Sequence, residues 1–353
     1  MMRCSFALTL VLLVTGANAN NLFSRGRDRH ADTLTWKTVV NNADAIPGNE
    51  DKTFSSYNAP SVNTDGFVVF RARSTGKQNQ GTGPATGIFV RDVLGSASIV
   101  RQASRGSTVP PPNNLNTTFI EFPSFPRMSI NKDNIATRGN HGPVYEYTVG
   151  ADKTRSGNTG LYFNLDPKDD FTTTDTSLDF QTAVAKLGSS AGFPIFEVPE
   201  VANGKVFDVF PGSPAIDDQG KIAFKGNYAI EYMSGTLVSQ TGVFYRQLQQ
   251  DETLAGDGKI YVVANSETKV PNTTVHTQTN NCSAGTTFGS TAPPSAAANF
   301  MVFVGYDNEE APTCGGIYQA KMNEENFPEL TVLIDLETRV PGIVQVETFT
   351  MLG

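Results

Sequence analysis

The stretch that decides the fold reads Pro214-Ala215-Ile216-Asp217-Asp218-Gln219-Gly220-Lys221-Ile222-Ala223-Phe224. Short apolar runs flank a polar tetrapeptide that ends in Gly220. A glycine accepts the positive φ of a tight turn, and β-branched and aromatic residues favour strands. The stretch therefore predicts a β-hairpin.

Similar hairpins recur at residues 60–70, 128–137 and 294–303. Each is followed by a glycine, an aliphatic residue and an aromatic residue: Gly87-Ile88-Phe89, Gly160-Leu161-Tyr162, Gly242-Val243-Phe244 and Gly316-Ile317-Tyr318. Successive triplets begin 73, 82 and 74 residues apart. A further apolar run and a turn that contains proline complete each unit. Landmarks that repeat in one fixed order indicate a repeat protein built of short strands.

The repeat predicts an all-β fold, a β-propeller with four-stranded blades a to d. No stretch shows a long apolar period of 3.6 residues, so we expect very little helix. The a–b turn needs residues that tolerate a positive φ, and Gly66, Gly220, Asn299 and Asp133 hold that position. Prolines fall in the connections, where a missing N–H interrupts no ladder.

The units resemble the repeats of a largely uncharacterised group of secreted β-propeller-like proteins, which contain P-S-I, G-x-V-A-F, G-I-Y and V-P-G in this order. The likeness covers nearly all of residues 36–353. It implies the propeller fold and secretion, and it carries no catalytic residue.

The ends of the repeat region suggest an incomplete ring. Four complete blades are followed only by a connection that ends shortly after Thr348-Phe349, and a lone d-like strand at residues 35–40 precedes the first blade. An open sheet edge is unfavourable. We therefore interpret residues 35–353 as a C-terminally truncated repeat domain from a ring of five or more blades.

Residues 1–19 have the features of a secretory signal peptide, with Arg3, an apolar segment and Ala17-Asn18-Ala19 as the cleavage site. Residues 20–34 are polar and are expected to be a disordered lead-in. No later segment is apolar enough to span a membrane. The formal charge of −8 argues against nucleic-acid partners. The sequence thus predicts a secreted, extracellular protein.

Cysteines and sequons fit that compartment. Cys282 and Cys314 fall in a d–a connection and a b–c loop of one unit, which emerge on one face, so a disulfide is predicted over two free thiols. Predicted glycosylation sites are Asn116, Asn272 and Asn281. Short sequons also arise by chance in loops rich in Asn and Thr.

No catalytic residue, metal site or cofactor is predicted. Residues 188–192 match the G-x-S-x-G pattern, but the Phe-Pro that follows cannot open the helix that a nucleophile elbow requires. His30, His141 and His276 lack metal-binding spacing, and solvated loops explain them better. Acidic clusters at 166–170 and 307–310 fit solvated turns better than calcium sites.

Two long predicted b–c loops, residues 139–147 and 226–232, combine tyrosines with a carboxylate. The candidate ligand-binding residues are Tyr145, Glu146, Tyr147, Tyr228, Glu231 and Tyr232. Tyrosines on a loop face suit glycans or peptides through stacking and hydrogen bonds. The alternative is that these tyrosines pack between neighbouring blades.

The favoured function is a secreted binding or scaffold protein that holds glycan or protein ligands with loops on one propeller face. A secreted hydrolase or lyase acting on polysaccharide is the alternative, and it requires carboxylates or histidines that converge near the central channel. A third possibility is a matrix protein that uses the face for self-association.

Overall fold

The computed structural model describes residues 36–75, 84–95, 98–110, 117–149, 152–164, 182–186, 197–201, 204–231, 237–248, 258–271, 283, 285–336 and 338. These residues form antiparallel strands and connections, with no helix among them. The all-β prediction is therefore confirmed for the described chain. The predicted signal peptide and lead-in lie outside it.

The strands form four separate antiparallel sheets in chain order, one for each repeat. The first sheet contains β1 (Ala45–Ile46), β2 (Asn49–Tyr57), β3 (Ser61–Val62), β4 (Phe67–Ser74), β5 (Thr86–Asp92) and β6 (Val100–Ser104). The second contains β7 (Phe119–Glu121), β8 (Arg127–Met128), β9 (Ile135–Val149), β10 (Asp152–Asn164) and β11 (Thr182–Lys186). The third contains β12 (Ala215–Ile216), β13 (Lys221–Glu231), β14 (Leu237–Gln247) and β15 (Ile260–Asn265). The fourth contains β16 (Ser290–Thr291), β17 (Ser295–Ala297), β18 (Phe300–Tyr306), β19 (Gly315–Lys321) and β20 (Leu330–Asp335).

Each sheet has the same four-strand path, from a short first strand through two long central strands to a fourth. In the third sheet this path is β12-β13-β14-β15. Consecutive sheets pack face to face. The apolar clusters show this, since residues that are neighbours on one strand belong to different clusters. Ile222 and Phe224 join the cluster shared with the first two sheets, whereas Ala223 joins the cluster shared with the fourth. Because both faces of this strand are buried, its apolar residues form a continuous run instead of alternating with polar ones.

An aromatic pair recurs inside each sheet. A phenylalanine of the connecting segment meets the aromatic residue of the third strand edge to face, at centroid distances of 5.0, 4.8, 5.0 and 5.2 Å: Phe54–Phe89, Phe119–Tyr162, Phe207–Phe244 and Phe288–Tyr318. The ring lies over a pair of facing glycines in three of the sheets. Gly226 pairs with Gly242, and a Cβ on Gly226 would come within 2.5 Å of Phe207 Cε1. The glycine therefore makes room for the ring.

Hydrogen bonds join the four hairpins in chain order. Asn63 of the first donates to the Asp133 carboxylate of the second at 2.6 Å. The Asn131 side chain of the second donates to Asp218 of the third at 2.7 Å. Lys221 of the third donates to the Asn299 side chain of the fourth at 2.8 Å. We call this chain of contacts the hairpin seam.

Three features differ from the sequence predictions. Gly66, Gly220 and Asn299 have the expected positive φ, but Asp133 does not. The second hairpin has six residues between its strands (129–134) and the first has four (63–66), so its turn is longer. Residues 36–40 form no strand, although Val39 and Val40 are buried against the first sheet. Arg91 donates to the Val39 carbonyl at 2.7 Å, so a side chain and not a paired strand satisfies this backbone group.

The predicted b–c loops at 139–147 and 226–232 are wrong as loops for the described residues. β9 continues to Val149 and β13 to Glu231, each paired along its length with the following strand. Each segment contains two tyrosines and one β-branched residue, Val144 or Ile230, which suit an extended strand, and the two-stranded ladder continues beyond the rest of the sheet.

Candidate functional site

A cleft of about 520 Å³ opens between the first and second sheets. Residues from the segments 46–52, 84–89, 104–106 and 118–120 line it. Thr86 begins β5 and Ser104 ends β6, so the cleft lies at the end of the sheet where the b–c and d–a connections emerge. This is the face on which the sequence predicts ligand binding. Its volume falls in the range of small-molecule sites, about 300–1,000 Å³.

The turn after β6 shapes one wall of the cleft. Ser104 N–H donates to Ser107 Oγ at 3.0 Å, and Ser107 N–H donates back to the Ser104 carbonyl at 3.0 Å. Gly106 has a φ of 93°, and its N–H donates to the Phe119 carbonyl at 2.8 Å. The turn therefore connects β6 to the segment that pairs with the second sheet, which holds the two cleft walls together.

Thr86 has a buried hydroxyl that no partner satisfies. The residue is 7% exposed, and its Oγ1 makes no hydrogen bond. The equivalent hydroxyls of the next two sheets are both satisfied: Thr159 donates to Asn140 Oδ1 at 2.8 Å, and Thr241 pairs with Thr291 Oγ1 at 2.8 Å. A buried unpaired hydroxyl costs about 1–3 kcal/mol. Thr86 of the first sheet lines the cleft described above.

Two cationic side chains, Lys52 and Arg105, line the cleft, and none of the described lining residues is a carboxylate. Glu50, Asp51 and Glu121 lie next in sequence to lining residues but are not among the described residues that line the cleft. Glu50 accepts from the Gly48 N–H at 2.8 Å, and this hydrogen bond is the main cause of its lowered pKa. Glu121 interacts electrostatically with Arg138. The described lining of the cleft thus carries positive charge, although the chain as a whole has a formal charge of −8.

The six tyrosine and carboxylate candidates are not gathered in one described site. Tyr228 is 1% exposed in the core, as the packing alternative predicts, so its ring offers no surface to a ligand. Glu231 is exposed at the end of β13. Tyr145, Glu146 and Tyr147 lie on β9, where only the backbone is described, and Tyr232 lies outside the described residues.

Burial of Tyr228 predicts alkaline destabilisation. Desolvation, followed by the charge of Glu267, raises its pKa to about 12. Between about pH 10 and 12 the unfolded chain loses the phenolic proton while the folded chain keeps it. The free energy of unfolding should therefore fall as pH rises through this window. Urea unfolding at a series of pH values should show a shallower fall for Tyr228→Phe. An identical slope in both chains would contradict the prediction.

The buried carboxylates of the hairpin seam are structural. Asp133 and Asp217 are each 2% exposed. Asp133 accepts from Asn63, and Asp217 Oδ1 accepts from the N–H groups of Gln219 and Lys221, both at 2.9 Å. No group of three or more His, Cys, Asp or Glu side chains that could hold a metal occurs in the described ranges.

Of the predicted cysteine, glycosylation and histidine positions, some lie among the described residues and others lie outside them. Cys314 is 2% exposed, and its N–H donates to Asp307 Oδ1 at 2.9 Å. Cys282 lies outside the described residues, as do Asn116, Asn272 and Asn281, so the disulfide and the glycans stay predictions. His141 is fully buried in β9, which corrects its assignment to a solvated loop.

Sequence reasoning missed the cleft residues. A threonine precedes the glycine of the recurring triplet in three units, as Thr86, Thr159 and Thr241. This repeat is the only signal that could have pointed to Thr86, and it does not reveal which of the three hydroxyls lacks a partner.

No protein-family model matches the chain, and no curated protein matches it. The part of the chain that the structure describes has no apolar helix of membrane-spanning length.

Proposed function

We propose that the chain is a secreted binding protein, built as a β-propeller, that holds an extracellular glycan or protein ligand on the face where the b–c and d–a connections emerge. The carrying observation is the cleft between the first two sheets, with the unsatisfied hydroxyl of Thr86 in its wall. A donor left without a partner in a cleft is the arrangement expected where a ligand completes the hydrogen bond.

Contacts between neighbouring sheets support the radial arrangement. The first strands of the four sheets contact one another in chain order, β3 with β8, β8 with β12, and β12 with β17. The hairpin seam follows the same order. Sheets that meet through their innermost strands are the arrangement that a propeller requires. Secretion rests on the predicted signal peptide at residues 1–19.

A blocking substitution tests the cleft. We expect the full chain, secreted from eukaryotic cells, to retain ligands on a glycan and peptide array. Thr118→Trp should weaken that binding at least tenfold, which corresponds to about 1.4 kcal/mol, because Thr118 is an exposed cleft residue and a large ring would fill the space. Thr331→Trp, at an exposed position of β20, is the matched control.

A second arm tests the tyrosine face. Tyr147→Ala combined with Tyr232→Ala should reduce binding only if those side chains contribute to the ligand site. A chain that retains no array member, or one that degrades polysaccharide, would contradict the proposed function.

A further inference from the structure

We infer that the cleft between the first and second sheets binds an acidic saccharide, one whose ring carries a carboxylate or a sulfate. The inference rests on the proposed function and specifies the ligand class of the same face. The charge, polarity and shape of the described cleft residues carry it.

The two cationic side chains of the cleft favour an anionic ligand. Lys52 on β2 and Arg105 in the turn after β6 both line the cleft. An Arg guanidinium and a Lys ammonium are the side chains that recognise carboxylate and sulfate groups most strongly.

The polar groups of the cleft suit a sugar ring. Hydroxyls of Thr86, Ser104 and Thr118 and the amide of Asn49 line it. Such groups donate to and accept from vicinal hydroxyls. Thr86 adds the decisive feature, because its buried Oγ1 has no partner in the protein. A ligand hydroxyl would supply the hydrogen bond that Asn140 and Thr291 supply to the equivalent threonines.

The apolar part of the cleft gives a place for the face of a ring. The half-buried side chains of Pro84, Ala85 and Ile120 line the cleft and supply its apolar surface, whereas Phe89 and Phe119, which also line it, are buried. A sugar ring combines an apolar face with polar edges, so it matches a cleft with both surfaces. A flexible acidic peptide would contact the two cationic side chains, but it does not have the apolar face and polar edges of a sugar ring.

Isothermal titration with the full chain tests the inference. The probes are an oligogalacturonate, its fully methyl-esterified and therefore neutral form, and a sulfated galactan oligosaccharide. We expect the acidic probes to bind at least tenfold more tightly than the neutral ester, with affinity that falls as salt rises. The stronger of the two acidic probes identifies the source of the anion.

Three variants assign the contacts. Lys52→Gln and Arg105→Gln should each weaken acidic-probe binding about five- to tenfold and reduce its salt dependence. Thr86→Val should weaken it about fivefold with salt dependence unchanged, while unfolding stability stays the same or rises, since the substitution removes an unsatisfied hydroxyl. Lys205→Gln is the matched control, because Lys205 holds the Lys52 position of the third repeat and should leave binding unchanged.

The outcomes distinguish failure of the acidic-saccharide inference from failure of the proposed binding function. Equal binding of the neutral ester and the acid, or variants that bind like the unmodified chain, overturns the acidic-saccharide inference and leaves the proposed function standing. If the chain binds only peptides on the array, the inference is also overturned. If the chain retains no array member at all, both fail.

Discussion

Replacing Phe207 by alanine should lower the free energy of unfolding by about 3–5 kcal/mol, the usual cost of deleting a buried phenylalanine. Phe207 is 1% exposed and contacts Phe210, Phe224 and Phe244 at ring-centroid distances of 5.1, 5.8 and 5.0 Å. Its loss would leave a cavity over the glycine pair of the third sheet. Urea unfolding followed by tyrosine fluorescence measures the change.

Two comparisons make this prediction specific. Phe125→Ala removes a ring that is 39% exposed and should cost far less. Gly226→Ala should itself destabilise by about 1–3 kcal/mol, because its Cβ would overlap the Phe207 ring. Combining Gly226→Ala with Phe207→Leu should cost less than the sum of the two single changes. Strict additivity would mean that the ring and the glycine are not coupled.

The second large effect is expected at the hairpin seam. Asp217→Ala should lower the free energy of unfolding by about 2–4 kcal/mol, because three buried or part-buried N–H groups lose a charged acceptor. Those donors belong to Gln219, Lys221 and Asn299, at 2.9, 2.9 and 3.3 Å. The Asn299 contact also joins the third sheet to the fourth. Chemical denaturation of both chains measures the loss.

Neighbouring substitutions provide the controls. Asp217→Asn keeps one acceptor oxygen and should cost less than alanine. Asp218→Ala removes hydrogen bonds to Asn131 that are exposed, and should cost about 0.5 kcal/mol. If Asp217→Ala were no more harmful than Asp218→Ala, the seam would not contribute to stability as described.

Repetition made much of the fold predictable. The hairpin at Asp217, the glycine before each aromatic residue and the proline in each connection follow local rules, so they were visible in sequence. The same rules gave the wrong boundaries for β9 and β13, because nothing local limits how far a two-stranded ladder of tyrosine and valine extends. Tyr228, predicted from the sequence to lie on a surface loop, is buried in the core on β13.

The sequence by itself determined an all-β chain of short antiparallel strands, with apolar positions that have to be buried on both faces of the central strands. Only the tertiary structure decided which sheets cover those faces and where space is left between them. Thr86, Thr159 and Thr241 occupy one repeat position, yet of these three described hydroxyls only that of Thr86 lacks a partner. Strand formation depends on residues close in the chain, whereas the surroundings of a hydroxyl depend on segments brought together by packing.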